Sequence, residues 1–442
     1  MGLLHGEYRR HNRTDIRTSV SLGLPGNQLN TKTLDISESG IALNKPARLN
    51  MTIGQSVSIS FPKMPFFKIS AKIVRTSDDN IGLELNQLRL SQIDIDGIVH
   101  TAPWYERLRY YSKRTIWKTF RRVGIFLANT ALRRPLLSII KPTFIFAAYG
   151  TEKDIGTYLT PRMSKMIPPL LLAGFIKNRG HKGILVAPKF FEHELAHDSN
   201  AVNQYLKQLE NEFPHVKTIA LVGRLPNFVM KAGHRIAPPY VDGSMGTRYM
   251  IWDISQQMHA LPQYKNETSI GVLGGAGRIG SLVCNDLVGE YTTVIAFDTR
   301  YEKDEIISVS NCTILRTRDP KHLMNTKLYI SLTHHGNAIT DFMCHLPAGA
   351  LLADDTHPCI SFSVRNQLEN LNIEVKKIVL FHPDFLMWPR MPAWSNRAIP
   401  GCLVEALVLL DQTEGDPITF DSFCTLAKRI GFQGQLLKPL NE

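Results

Sequence analysis

Residues 268–287, TSIGVLGGAGRIGSLVCNDL, constrain the fold of this chain more than any other stretch. An apolar run from Ile270 to Leu273 enters a glycine turn, a helix start follows, and a second apolar run, TTVIAFD (292–298), comes next. That order is a strand, a turn, a helix and a second parallel strand. Gly275, Gly277 and Gly280 fit G-x-G-x-x-G, with Gly274 in addition. The glycines have distinct physical roles. Gly275 makes the tight turn, Gly277 lets backbone approach a pyrophosphate, and Gly280 lets the helix pack on the strand. The N-terminus of the helix then faces the phosphates. Asp298 lies 18 residues after Gly280, near the distance expected for a carboxylate that accepts ribose hydroxyls. Such an acid repels a 2′-phosphate and favours NAD, whereas Arg300, two residues on, draws toward NADP, so the cofactor expected is NAD or NADP.

The same strand-and-helix alternation extends upstream. FIFAAYG (144–150), GILVAP (183–188) and TIALVG (218–223) are short apolar runs suited to buried parallel strands, with charged helical stretches between them. Before residue 100 the pattern differs. SVSISF (56–61), FKISAKIV (67–74) and NIGLELN (80–86) alternate with period two and are separated by turn residues, which suits a small antiparallel barrel.

Two short motifs stand at the front of that region, RRHNR (9–13) and DISESG (35–40). Arg9 and Arg13 are planar, permanently charged forks that can hold a phosphate or the O6/N7 edge of guanine bidentately, with Arg10 between them. Asp35 and Ser37 add a carboxylate and a hydroxyl for a base edge or backbone contact, and Gly40 permits a tight turn beside a ligand. R-x-x-x-R followed by D-x-S-x-x-G resembles the PilZ domain, the bacterial receptor for cyclic di-GMP. The resemblance covers roughly the first hundred residues and implies cyclic di-GMP binding by Arg9, Arg10, Arg13, Asp35, Ser37 and Gly40.

Composition sets the outer limits. The chain has 442 residues, enough for several domains, with 43% hydrophobic and 20% charged residues, as in an ordinary soluble globular protein. MGLLHGEYRR has no apolar h-region, so no secretory signal is expected, and no uncharged apolar run reaches bilayer-spanning length. The six cysteines show no zinc spacing and read as reduced thiols, so a cytoplasmic protein without a metal site is expected. The net charge is +12, but residues 104–142 hold ten basic side chains against one acid, Glu106. The remainder is nearly neutral, which argues against a nucleic-acid surface. Within residues 104–127 a helix is expected. Tyr105, Leu108, Ile116, Phe120, Val123 and Leu127 share one arc, and Arg107, Arg114, Lys118 and Arg121 another. Such a helix suits an anionic membrane surface or an acidic carrier protein, or else a connector that buries its apolar arc on a neighbouring domain.

Near the C-terminus, SNRAIPGCLVEALVLL (395–410) places Cys402 in the first turn of a helix, where the helix dipole favours a thiolate. Glu405, one turn on, is a candidate base. The alternative is that Cys402 is a small buried hydrophobe. GVLGGAGRIGSLVCNDL, CLVEALVLL and GFQ (431–433), with LTPRM (159–163), ALVG (220–223) and DGSMGTRYMI (242–251) upstream, resemble the long-chain acyl-carrier-protein reductases that make fatty aldehydes. The resemblance covers about three hundred residues. It implies a cofactor site at Gly275, Gly277 and Gly280, Cys402 as the acyl-accepting nucleophile, and Gly243, Thr247 and Tyr249 where the substrate and cofactor halves meet. It also implies an acyl carrier protein or acyl-CoA as acyl donor. The chain departs from that family in carrying Asp298, which does not suit NADPH, and in its PilZ-like front domain.

Other polar groups fall after expected strands: His334 and His335 in THHGN (333–337), and Asp355 and His357 in DDTHP (354–358). They are candidate pocket residues because ligands bind at strand C-termini in open α/β sheets. His382, in LFHPDF (380–385), reads as part of a turn.

The expected organisation is therefore multi-domain. A PilZ-like β-barrel spans 1–100, a basic amphipathic helix 101–142, an α/β substrate-side domain 143–262, a doubly wound NAD(P)-binding Rossmann domain 263–400, and C-terminal helices 401–442. The expected function is a cyclic di-GMP-responsive NAD(P)-dependent oxidoreductase that reduces an acyl thioester through Cys402. One alternative is a non-catalytic cyclic di-GMP effector whose Rossmann half binds a nucleotide or a partner protein. A third, a hydroxy-acid or shikimate-type dehydrogenase with a Lys/Asp pair, has no motif in the chain.

Overall fold

The computed structural model describes residues 14–24, 27–36, 40–45, 52–62, 64–77, 79–85, 98–389, 397–412 and 419–437. Arg9, Arg10, Arg13 and Ser37 lie outside them. Two compact units divide the chain, one up to Arg121 and the other from Arg122 to Leu440.

In the first unit β1 (Thr14–Asp15), β2 (Ser19–Leu24), β3 (Asn27–Ile36), β4 (Gly40–Asn44), β5 (Ser56–Phe61), β6 (Met64–Thr76) and β7 (Asn80–Leu85) pair antiparallel. The order β3-β2-β5-β6-β7-β4 closes through β3–β4 into a six-strand barrel, and β1 adds to β3. Period two explains the closure: Val20, Leu22, Val57, Ile59, Phe61, Ile69, Ile73, Ile81 and Leu83 are buried in one core.

Helix α1 (Trp104–Asn129) starts in the first unit and ends in the second, and α2 (Arg133–Ile140) follows. Their corner is tied down by buried polar groups. Asn129 exchanges hydrogen bonds with the backbone of Leu172 on both sides of its amide. Arg133 donates to Asn129 Oδ1 and to Glu212.

The second unit holds two sheets. The smaller has order β12-β11-β8-β10-β9-β20, from β8 (Phe144–Ala147), β9 (Leu170–Asn178), β10 (His181–Pro188), β11 (Thr218–Leu221), β12 (Tyr240–Val241) and β20 (Leu386–Trp388). β8, β10, β11 and β12 are parallel, and β9 is antiparallel to both β10 and β20. The larger is built from β13 (Ser269–Leu273), β14 (Thr293–Phe297), β15 (Glu305–Val309), β16 (Cys312–Thr317), β17 (Leu328–Ser331), β18 (Leu351–Asp354) and β19 (Glu374–Phe381), with β21 (Ala398–Ile399) and β22 (Gln433–Leu437) beyond. Its parallel core runs β16-β14-β13-β17-β18-β19. Counted in chain order this is 3-2-1-4-5-6, the order of doubly wound dinucleotide-binding sheets, with its switch point between β13 and β17. α3 (Ser244–His259), α4 (Arg278–Asp286), α5 (Gly401–Leu409) and α6 (Phe420–Ile430) cover this region.

The division expected from the sequence is corrected in two places. Residues 386–388 of the expected Rossmann segment return to the smaller sheet and pair with β9. The expected C-terminal helices, 401–442, end in β22, which pairs with β19 along Lys377 to Phe381. Both follow from edges: β9 and β19 present backbone groups that a later strand satisfies.

Candidate functional site

Two sites take shape, one in each unit. In the barrel the register of β1 on β3 sets Thr14 opposite Ile36 and Asp15 opposite Asp35. Thr14 is the residue after Arg13, and Ile36 the residue before Ser37. The two motifs thus adjoin paired positions, although about twenty residues separate them in the chain. Asp35 is the last residue but one of β3 and Gly40 begins β4, and the two strands pair antiparallel.

In the second unit the glycine turn joins β13 to α4. The N–H groups of Gly274 and Gly275 both donate to Phe297 O, and Gly277 N–H donates to Gly274 O at 3.0 Å. Gly274 has φ +93° and lies against the backbone of Leu332, across the switch point. A side chain at Gly280 would run into the carbonyl of Gly274. No side chain caps the N-terminus of α4, so its first N–H groups suit an anion.

Asp298 directly follows β14, as the spacing predicts, and it is engaged. It accepts from Ala276 N–H at 3.0 Å and from the Arg300 guanidinium at 2.9 and 2.7 Å. Burial alone would raise its pKa, yet the hydrogen bonds from Arg300 and Ala276 hold it below the usual carboxylate range. Most of Arg300 faces solvent beside the turn. Any ribose hydroxyl would thus share Asp298 with Ala276 and Arg300.

Cys402 sits at the start of α5, as expected. Tyr149, after β8, and Gly223, after β11, bring the smaller sheet to it, and Gly223 N–H donates to its sulfur. Gly243, at φ +73°, packs so closely that a Cβ there would lie 2.5 Å from that of Cys402. Gly401 packs equally closely on Thr247. Tyr249 is buried and donates to Phe432 O at 2.7 Å. Helices α3 and α5 meet through these small residues.

Two expectations about this cysteine are corrected. The helix dipole does not win: protein surrounds the sulfur closely enough that burial pushes the thiol up to about 12, with the charges of Asp355 and Glu405 pushing the same way and the Gly223 N–H opposing. Glu405 does not stand free as a base either. It accepts from Met245 N–H at 2.9 Å and from Gly246 N–H, and so caps α3, whose N-cap is a glycine. Burial and the neighbouring Asp242 raise its pKa to about 7.

The other candidates fall at strand C-termini around the crevice. His334 and His335 follow β17, with ring centroids 4.1 Å apart. Burial lowers the pKa of His334, and so do the charges of His335, Arg224 and Arg300. Asp354 accepts from the backbone of Thr356 and Ile360 and so fixes the loop that carries Asp355. Burial raises Asp355 to about 7, against the pull of Lys377. His382 instead accepts from Asp384 N–H within its own turn, with its other ring nitrogen 3.2 Å from Ile430 O. Sequence reasoning missed Tyr149, Arg224, Lys377 and the Asp242–Arg278 ion pair that ties the first residue of α4 to the turn before α3. The available signal was position, since Tyr149, Arg224 and Asp242 each follow a short apolar run.

A family model described as PilZ domain matches residues 7–99. Among solved structures, the Bacillus subtilis inhibitor of motility MotI/DgrA is 19% identical, with 24% of this chain and 53% of that chain covered and a TM-score of 0.18. The chain therefore spans about half the length of that protein. The PilZ domain of YcgR from Escherichia coli, solved with cyclic di-GMP, is 13% identical, with coverages of 25% and 98% and a TM-score of 0.19. The L-tryptophan dehydrogenase of Nostoc punctiforme is 10% identical, with coverages of 65% and 79% and a TM-score of 0.31. No curated protein matches the chain. With the closed antiparallel barrel and the motif register already in place, the match identifies the front of this chain as a PilZ domain, followed by an α/β region with a Rossmann-type parallel sheet.

Proposed function

We propose that the chain is a cyclic di-GMP-responsive, NADP-dependent reductase that converts an acyl thioester to an aldehyde through Cys402. The observation that carries this is the position of Cys402, at the start of α5 under the Gly223 N–H, between strand C-termini of both sheets. The glycine turn fits a dinucleotide because Gly280 lets α4 pack against the carbonyl of Gly274, and the N-terminus of α4 lacks a side-chain cap.

The residues suggest a division of labour. Asp355 takes the Cys402 proton, since its raised pKa matches neutral pH and its charge acts on the thiol. The sulfur attacks the thioester carbonyl, its bond to the acyl carbon forms, and the carrier leaves as a thiol with that proton. Backbone N–H groups at the start of α5 favour the oxyanion. A nicotinamide supplies the hydride to the acyl carbon when bound. The Cys402 sulfur then releases the aldehyde. Tyr149, raised to about 12 by burial, stays protonated and holds the Gly223–Arg224 loop by accepting from Arg224 N–H.

Arg300 favours the 2′-phosphate form of the cofactor. It neutralises Asp298 and keeps a largely exposed guanidinium beside the turn. Arg300→Ala is expected to weaken NADPH binding roughly tenfold and to spare NADH, which fluorescence titration of each cofactor measures. Loss of both affinities equally would contradict the assignment.

The deciding experiment is oxidation of NADPH and NADH by the purified chain over acyl-CoA and acyl-carrier thioesters, with and without cyclic di-GMP. Thioester-dependent turnover that responds to cyclic di-GMP supports the reading. Arg9→Ala and Arg13→Ala are expected to lower cyclic di-GMP affinity by about a hundredfold in calorimetry and to abolish the response without changing basal turnover. The protonated state of Cys402 and the commitment of Glu405 to a helix terminus favour a second reading, a non-catalytic effector that binds both nucleotides. Nucleotide binding without turnover on any thioester would select it.

A further inference from the structure

The first residue of α4 carries the wrong charge for a helix start. Arg278 opens the helix, where the end of the helix dipole is already positive, and no acid stands in the first turn. The first N–H groups have no side-chain cap either. A cation beside unsatisfied donors suits an anion. Here the anion comes from outside the helix. Arg278 Nη1 lies 2.5 Å from Asp242 Oδ2, and the two side chains are 26% and 28% exposed, so a ligand in solvent can reach the pair.

Asp242 belongs to the other side of the crevice. It directly follows β12, the edge strand of the smaller sheet, and its Oδ1 accepts from Ser244 N–H at 2.9 Å, at the start of α3. Between these two residues Gly243, buried at φ +73°, lies against Cys402. A Cβ there would be 2.5 Å from the cysteine Cβ and 2.6 Å from its Cα. One carboxylate thus joins the phosphate-facing end of α4 to the turn that covers Cys402. Every step of the path Arg278, Asp242, Gly243, Cys402 is a direct contact or a chain bond within the second unit. The next residue of α3 is held differently, from α5, by Glu405 accepting from Met245 N–H at 2.9 Å. The Asp242–Gly243 turn is therefore the part of this contact whose hold depends on α4. A pyrophosphate carries more negative charge than one carboxylate and takes a guanidinium through a pair of oxygens.

We propose that Arg278 is a positioning residue that couples the cofactor to Cys402: the dinucleotide phosphates take it from Asp242, and the Asp242–Gly243 turn then withdraws from the cysteine. The coupling rests on the dinucleotide reading of the glycine turn, and it is measured without turnover.

The test is alkylation of Cys402 by iodoacetamide, followed by peptide mass spectrometry, in the full chain with and without saturating ADP-ribose. This probe brings the pyrophosphate without the nicotinamide, so no ring is added beside the cysteine. Alkylation of Cys402 is expected to speed up about fivefold to tenfold when ADP-ribose binds, while that of the exposed Cys344 stays unchanged. Asp242→Asn keeps an acceptor for Ser244 N–H and removes the charge that competes for Arg278. It is expected to bind ADP-ribose about fivefold more tightly in calorimetry and to lose the acceleration. Arg278→Ala is expected to bind ADP-ribose about tenfold more weakly and to show no acceleration at saturation. An unchanged or slower rate in the wild-type chain at saturation, or an acceleration that persists in Asp242→Asn, would overturn the coupling and leave the dinucleotide site standing. Weaker ADP-ribose binding by Asp242→Asn would reduce Asp242 to a structural tie and overturn the coupling as well. No ADP-ribose binding by the wild-type chain would overturn the dinucleotide reading and the coupling together.

Discussion

Cys402→Ala is expected to lower thioester-dependent NADPH oxidation by about a thousandfold or more and to leave cofactor affinity within about twofold. Alanine fits the site, because the only group removed is a sulfur beside Gly223 and Gly243. Stopped-flow oxidation and a separate fluorescence titration separate the two effects. The same cysteine carries a pH signature. Burial raises its thiol to about 12, so the resting protein holds it protonated at neutral pH. Alkylation by iodoacetamide is then expected to be on the order of a hundredfold slower than for a free cysteine near pH 7, and to climb as pH rises toward that value. The groups that act on it are Tyr149, Asp355, Glu405 and the Gly223 N–H. Asp355→Asn removes a negative charge that raises the thiol, so it should speed alkylation. The same change should slow turnover, since the proton acceptor is lost. Parallel changes in both rates would mean that Asp355 acts on the thiol by charge alone. Normal turnover by Cys402→Ala would remove the nucleophile from the scheme.

Gly280→Ala is the second large effect. The added methyl would meet the carbonyl of Gly274, which cannot retreat because Gly274 sits at φ +93° against Leu332. Helix α4 must move off β13, at a cost of about 1–3 kcal/mol in stability. Cofactor affinity is expected to fall roughly tenfold to a hundredfold as the end of α4 leaves the phosphates. Thermal melts with and without NADPH read both terms. Gly277→Ala is the contrast. Its Cβ would meet Gly274 O at 3.1 Å and Arg300 at 3.6 Å, a milder overlap, so the loss of stability should be smaller than for Gly280→Ala while affinity falls. Equal losses of stability in the two variants would contradict this account.

Much of this molecule was legible from local pattern. Period-two alternation located the barrel strands, and the strand–glycine–helix order located the cradle, because backbone sterics set both. The strand order around β13 was not legible, since pairing is decided by long-range packing. The same holds for Cys402. Its place in the first helical turn was readable, but the direction of its pKa was not, because burial comes from Gly243 and Gly223, distant in sequence. The place of Asp298 at a strand end was readable, but its bonds to Arg300, which folds back on it, were not.

The return of β20 to the smaller sheet bears on how the chain is made. When the ribosome has released residues 143–262, every other strand of that sheet exists, but β9 still has one bare edge. Its partner, Leu386–Trp388, is more than a hundred residues away, beyond most of the larger sheet. The second unit therefore cannot mature as two successive beads. A nascent chain carries an open hydrogen-bonding edge through most of its synthesis, when pairing with another chain is the chief hazard. Any attempt to express residues 143–262 alone is expected to yield aggregates, and restoring residues 386–388 is the minimal repair.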